Sequence, residues 1–424
     1  MPFLTRPRLL LAASALLPRL VLALYLGVWG DPDRWEYDVI ADNIRAGAGH
    51  VYDRDGFVYA AYAPPLWSYV LAALLWLPGA TRGTIQVAQA FFCVGAAVCC
   101  ASLARRLGGG RTVVALTGLL VALQPSLVYY SVAKSDPLPL NTFLLSLIAL
   151  CGATLVETPG VSRAAVFGLL TALGTLSRGT PAIAVPLVAV LLALRWRRKA
   201  AIPVLAMGTA MTLGLTPWLI RNAVVVGSPM LTSTSGENLW RGNNESAGGG
   251  VLDPTGRSLS NLDPANPVFP AAVKAVLASG TEAERQSVFM TEALRFIGDH
   301  PVDAASLFGT KMRSFWWKVV SNPGDYDPAA ARLYEWIYRS ELALALVGVA
   351  SFFRQRPAPA AGSGRSTPAF LVALMIGISI MQSAFYVQGR HRFLIEPLLL
   401  IFTAWGATVA GAALRSRVDR AVAR

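Results

Sequence analysis

The chain has 424 residues, of which 54% are hydrophobic and only 14% charged, with a formal net charge of +13. A soluble domain carries about 25% charged residues, so this composition argues against an ordinary soluble fold. The basic excess clusters at the ends of apolar blocks, as cytoplasmic anchors do, which argues against a nucleic-acid partner.

The apolar blocks lie at 9–30, 85–104, 112–131, 137–156, 162–177, 180–195, 201–219, 336–353, 368–387 and 393–414. About 18 or more apolar residues cross about 30 Å of hydrocarbon as a helix. Lipid leaves only helices or closed barrels, and continuous blocks lack the alternation of a barrel. The expected fold is therefore an all-α polytopic membrane protein. The first block is long enough to span and Arg19 interrupts it, so it reads as an uncleaved helix rather than a signal peptide. The four cysteines, Cys93, Cys99, Cys100 and Cys151, all fall in apolar blocks without metal or redox spacing.

The stretch Pro64–Pro78 is short for a span and suits an interfacial segment, 64–80. Charge bias tests that choice. With Arg6 and Arg8 inside and 64–80 in the interface, Arg105, Arg106, Arg111, Arg163 and the run Arg195–Lys199 all become cytoplasmic. So do Arg354, Arg356, Arg365 and the tail arginines Arg415, Arg417, Arg420 and Arg424. This predicts roughly 10 transmembrane helices (11 if 64–80 spans), with both termini cytoplasmic.

Three regions then face outward: the loop 31–63, the turn at 131–136 and the long segment 220–335. The expected organisation is an N-terminal transmembrane module 1–219, an extracytoplasmic loop subdomain 220–335 and C-terminal helices 336–424. The loop subdomain reads as amphipathic helix from about Ala271 to Lys318, with Thr281 and Glu284 forming a capping box. The stretch 357–368 reads as a flexible linker.

The first loop is dense in acids: Asp31, Asp33, Glu36, Asp38, Asp42, Asp53 and Asp55. Such carboxylates can take a proton from an acceptor or bind a cation; a solvated acidic loop accounts for them equally well. Lys134 and Asp136 at the next turn read either as surface anchors or as part of a cavity shared with that loop. Arg178, Arg221, Arg390, His391 and Arg392 stand on the face where positive charge is otherwise avoided. Ionisable residues kept there usually face a cavity, and arginines at one depth suit a phosphate. A carboxylate wall facing an arginine wall fits a phosphate leaving group opposite a general base. An anion-coupled transporter or flippase fits almost as well. His50 and His300 read as surface histidines, and Asn244-Glu245-Ser246 matches a glycosylation acceptor by a pattern common by chance.

Several segments together resemble the GT-C glycosyltransferases, in the family 39 branch of protein O-mannosyltransferases and the lipid A aminoarabinose transferase. They are Asp33-Arg-Trp-Glu-Tyr37, Ile40-Ala-Asp-Asn-Ile44-Arg-Ala-Gly47, Ala63-Pro64-Pro65-Leu66 and Leu176-Ser-Arg178. Thr216-Pro-Trp-Leu-Ile-Arg221-Asn222, Gly236-Glu-Asn-Leu-Trp240-Arg-Gly-Asn243-Asn244 and Arg390-His-Arg392-Phe-Leu-Ile-Glu396-Pro397 follow in the same order. The resemblance implies a GT-C-like bundle with inverting transfer from a polyprenyl-phosphate sugar to a protein, glycan or lipid acceptor. It implies a multi-pass enzyme of the inner (plasma) membrane. It gives Asp33 as the base, with Glu36 and Asp38 as substitutes and Asp136 as a second acid. Arg178, Arg221, Arg390, Arg392 and Lys134 would hold the lipid phosphate, and Tyr37, Asn243 and Trp240 the sugar or acceptor. No cofactor is implied as required; a divalent cation is compatible with the family, whose members vary in metal dependence.

Overall fold

The computed structural model describes residues 6–260, 262–317, 327–355 and 366–422. Arg356, Arg365, Arg424, Lys318 and most of the linker 357–368 lie outside them.

In chain order, α1 (Arg6–Tyr25) leads into the first loop, which holds α2 (Glu36–Arg45) and the antiparallel hairpin β1 (Tyr52–Arg54) and β2 (Phe57–Tyr59). Then follow α3 (Pro65–Leu75), α4 (Arg82–Arg106), α5 (Arg111–Leu123), α6 (Pro125–Ala133), α7 (Leu138–Glu157) and α8 (Val161–Ser177). A 3₁₀ turn (Thr180–Ile183) opens α9 (Ala184–Trp196), and α10 (Ala201–Val225) completes the first half. The long segment carries α11 (Ser235–Gly242), α12 (Ala271–Ser279), α13 (Glu282–Asp299) and α14 (Pro301–Trp317). The chain ends with α15 (Pro328–Gln355), α16 (Ser366–Ala384), the short α17 (Gly389–Phe393) and α18 (Glu396–Val422).

Each apolar block of the sequence is occupied by helix. Seven helical stretches among the described residues are long and apolar enough to cross a membrane, with α1 and α8 as shorter apolar helices. The longest stretch, Thr180–Val225, is two helices, because Arg197 at φ 49° breaks it between α9 and α10. The block 112–131 is interrupted as well. Pro125 disfavours helical backbone at the residue before it, and Gln124 accordingly adopts ψ 118°, ending α5 and starting α6. The amphipathic stretch after Ala271 is likewise divided into α12, α13 and α14, with the expected Thr281–Glu284 box opening α13.

At 11 residues, α3 rises about 16 Å by helix geometry, too short to cross the hydrocarbon. It packs against α2, α4 and α7 through Trp67, Leu71, Ala41, Ile85 and Leu144. Trp67 is wholly buried there, and only Trp76 is exposed. Trp67 is therefore part of the core.

Without a hydrophobic drive between helices in lipid, tight backbone approach carries much of the packing. Helices α15 and α18 meet at two glycines. A Cβ at Gly406 would strike the Leu344 carbonyl, and one at Gly348 the Phe402 carbonyl, whereas nothing lies within 4 Å of a Cβ at Gly411. Gly406→Leu is expected to part these helices and lower the thermal midpoint of the detergent-purified protein by several degrees. Gly411→Leu is expected to leave that midpoint unchanged.

At one end of the bundle Arg106 pairs with Glu157 at 2.7 Å, and Trp196 donates to the Val156 carbonyl at 3.0 Å. The first loop, the α6–α7 joint, the end of α8 and the α16–α17 joint gather at the other end, under the segment α11–α14.

Candidate active site

The first loop is held in place by a short piece of backbone pairing. Asp33 N–H donates to the Ala133 carbonyl at 2.9 Å, and Ser135 N–H donates to the Asp33 carbonyl at 2.9 Å. Two glutamines brace this pairing from α4. Three residues apart, they share a face of the helix. The Gln86 amide donates to Val28 O (2.8 Å) and Val132 O (2.7 Å) and accepts from Gly30 N–H (2.9 Å). The Gln89 amide donates to Ser131 O (3.0 Å) and Lys134 O (2.9 Å) and accepts from Asp136 N–H (3.0 Å). Both side chains are buried. The result sets the start of α2 beside Asp136. Gln86→Leu would remove the side-chain partner of Gly30 N–H and of the buried Val132 carbonyl, while Val28 O keeps the Asp31 N–H; a buried group left unsatisfied costs about 1–3 kcal/mol. Faster amide exchange is expected at Gly30 and neighbouring residues in that variant; unchanged protection there would refute the brace.

Between these loops and α11 lies a cavity of about 490 Å³. Trp35, Glu36 and Tyr37 line it from the start of α2, Asp136 from the α6–α7 joint, and Arg178 from the end of α8. Arg390 and His391 enter from α17, and Glu237 and Arg241 from α11. Glu237 is neutralised within the protein by Arg54 (3.1 Å) and by Arg241. Glu36, Asp136, Arg178 and Arg390 differ: none forms an ion pair with another of the described residues. Arg178 donates to Gln382 Oε1 at 3.2 Å, Asp136 Oδ1 accepts from Leu138 N–H at 2.8 Å, and Arg390 lies over the Trp35 ring at 5.2 Å.

Burial raises the Glu36 and Asp136 carboxyls above their ordinary values, against the pull of Arg390, and Asp136 adds to the rise at Glu36. Burial and the neighbouring Arg390 pull Arg178 down. His391 is pushed well below its ordinary value by burial, then by Arg178 and Arg390, and is neutral. Its Nδ1 accepts from Gln388 N–H at 3.2 Å, which places the ring proton on Nε2. Two cations that form no ion pair among the described residues make a ready anion site. Two carboxyls with raised proton affinity stand beside it.

Several residues expected at the site stand elsewhere. Asp33 is not part of the cavity wall: its side chain is 61% exposed and its carboxylate pairs with Lys134 at 2.9 Å, because the backbone pairing turns that side chain outward. Lys134 is spent on that pair and on the Trp35 ring, 5.1 Å away. Asp38 is buried against Arg82, which also holds Asp42 at 2.8 Å. Arg221 lies outside the cavity and joins α10 to the first loop, donating to Ala60 O (2.5 Å) and Asn222 Oδ1 (2.8 Å). Arg392 is buried beneath α17, donating to Glu396 (3.1 Å) and Phe315 O (3.2 Å). Trp240 is core, packed on Phe269 and Phe289. Asn243 ties α11 to Ala384 O at 2.8 Å and accepts from Lys311 at 3.0 Å, away from the cavity wall.

His50 is buried edge-on to Trp218, where loss of hydration lowers it to about 4, so it is no surface histidine. Asn244 is buried, its amide donating to Trp240 O at 2.7 Å, which removes it as a glycosylation acceptor. Of the expected site residues the cavity unites Glu36, Tyr37, Asp136, Arg178 and Arg390. It adds Glu237, Arg241 and Trp35, whose motifs were legible but whose roles were not, and Arg54, which no motif marked. Among the described residues no group of three or more His, Cys, Asp or Glu side chains is assembled to hold a metal ion.

No family model and no curated protein sequence matches the chain. Solved structures do. The apo form of the Archaeoglobus fulgidus oligosaccharyltransferase aligns with 98% of this chain at 13% identity and a TM-score of 0.54. The same enzyme tethered to an acceptor peptide containing the NVT sequon aligns with 95% at 14% identity and a TM-score of 0.51. The fold is GT-C-like. The chain spans about half the length of that protein, 52% and 50% in the two alignments, and at this identity the likeness is one of fold. The expected GT-C architecture is thereby borne out.

Proposed function

We propose that this protein is a membrane glycosyltransferase that moves a sugar from a polyprenyl-phosphate donor to an acceptor, with inversion at the anomeric carbon. The observation that carries this reading is the set of four ionisable groups in one cavity, Glu36 and Asp136 beside Arg178 and Arg390, none in an ion pair with another described residue. A shared fold with an enzyme named for transferring oligosaccharide supports it.

Glu36 takes the proton from the acceptor hydroxyl or amine as that group attacks the anomeric carbon. The bond from that carbon to the phosphate oxygen breaks, and its electrons leave with the lipid phosphate. Arg178 and Arg390 take up the negative charge that develops there. Asp136, next to both arginines, restrains them without pairing. The donor carries its own leaving group, so the reaction asks for no nucleotide site and no required cofactor. The acceptor is a protein, glycan or lipid group, and the cavity end faces away from the cytoplasm of an inner (plasma) membrane, with both termini cytoplasmic.

The test is release of lipid phosphate and sugar transfer by purified protein in detergent, supplied with farnesyl-phosphate mannose and other farnesyl-phosphate sugars. Turnover of at least one donor supports the reading. Donor movement across proteoliposomes without cleavage would overturn it in favour of transport.

A further inference from the structure

Trp35 lines the cavity and immediately precedes Glu36, yet its indole N–H is buried with no hydrogen-bond partner among the described residues. Buried polar groups are nearly always satisfied, so each exception needs a reason. Here the surroundings supply one. The Trp35 ring has Arg390 at 5.2 Å and Lys134 at 5.1 Å from its centroid, a double cation–π contact, and Lys134 is itself anchored by Asp33. The ring is thus held by two cations, and what remains to offer a ligand is its N–H edge. Trp35 and Arg390 line the same cavity, so an anion gripped by Arg390 lies against the wall to which the indole belongs. Trp is also the best aromatic partner for a guanidinium, so the same ring fixes where Arg390 sits.

We propose that Trp35 is a phosphate-binding residue. Its indole N–H donates to a non-bridging oxygen of the lipid phosphate held by Arg390, while its ring positions that arginine. The proposal rests on the donor reading above and names a ligand contact that reading does not contain. Asp33 and Lys134, absent from the cavity wall, act through Trp35 as positioning residues.

Two substitutions separate the parts. Trp35→Phe keeps an aromatic face for Arg390 and removes the N–H; Trp35→Leu removes both. The measurement is farnesyl phosphate affinity of the full chain in detergent by calorimetry, with inorganic phosphate as the second probe. A hydrogen bond to a charged group corresponds to about a tenfold change or more in affinity. Trp35→Phe is expected to weaken farnesyl phosphate about tenfold, and Trp35→Leu about a hundredfold, with thermal midpoints near wild type for the Phe variant. A merely structural tryptophan would shift the midpoint and leave affinity alone. If wild type binds farnesyl phosphate and Trp35→Phe binds it equally well, the Trp35 contact is refuted while the donor reading stands. If wild type binds farnesyl phosphate no better than inorganic phosphate, the lipid-phosphate reading itself fails.

Discussion

Glu36→Gln is expected to lower kcat for sugar transfer by about 10²–10⁴, the range a positioned general base supplies, with little change in donor affinity. Asp33→Asn is expected to retain most of the activity, because the Asp33 carboxylate faces Lys134 and solvent rather than the cavity. The two variants discriminate between a base chosen by sequence spacing and one chosen by geometry. The pH dependence follows from the raised Glu36 carboxyl. As a base it works only when ionised, so activity falls on the acid side, with its midpoint above the ordinary glutamate value, and that acid limb disappears in residual Glu36→Gln activity. The stability effect has the opposite sign. A carboxyl raised in the folded state contributes stability below its unfolded pKa and loses it as pH rises through the folded pKa. At pH 7, above the unfolded pKa, the raised Glu36 carboxyl is thus a cost, and the neutral amide removes it. Glu36→Gln is expected to unfold at a higher temperature than wild type at pH 7 and to lose that advantage in acid. A variant retaining more than a tenth of wild-type kcat would move the base to Asp136.

The bundle was legible because lipid imposes a length and a polarity on every span, and both are written in the apolar blocks. The short α3 was legible for the same reason. Breaks inside blocks were harder. Pro125 splits one block through a local backbone preference that hydropathy averages away, and Arg197 breaks another with a conformation no composition announces. Within the site, residue type marked the arginines on the unfavoured face but not their directions. Arg390 and Arg392 are two apart on a short helix, so one enters the cavity and the other is buried against Glu396. Likewise Asp33 and Glu36 are three apart across a helix start, and the pairing of Asp33 with Ala133 and Ser135 decides which carboxyl faces inward. Gln86 and Gln89, which impose that pairing, look in sequence like two polar residues in an apolar helix. Their meaning lies in partners 42 to 58 residues away.

Alanine at Arg178 or Arg390 is expected to lower kcat by about 10²–10³ each, the effect of losing one preorganised donor to developing negative charge. Because both would grip one phosphate, the double variant is expected to lose less than the product of the two single losses. Lysine at either place is expected to restore only part of the activity, since an ammonium lacks the planar fork that meets two phosphate oxygens at once. Stability again separates these residues from their buried neighbour. Arg178 and Arg390 repel each other across the cavity, so Arg178→Ala is expected to be no less stable than wild type without ligand, and to lose the stabilisation that added farnesyl phosphate gives wild type. Arg392→Ala leaves Glu396 without its arginine at a fully buried site, a change that costs about 3–5 kcal/mol, and it lowers the thermal midpoint with or without ligand. Should Arg178→Ala unfold as readily as Arg392→Ala and keep its response to farnesyl phosphate, Arg178 would be a structural cation and the anion site would rest on Arg390 alone.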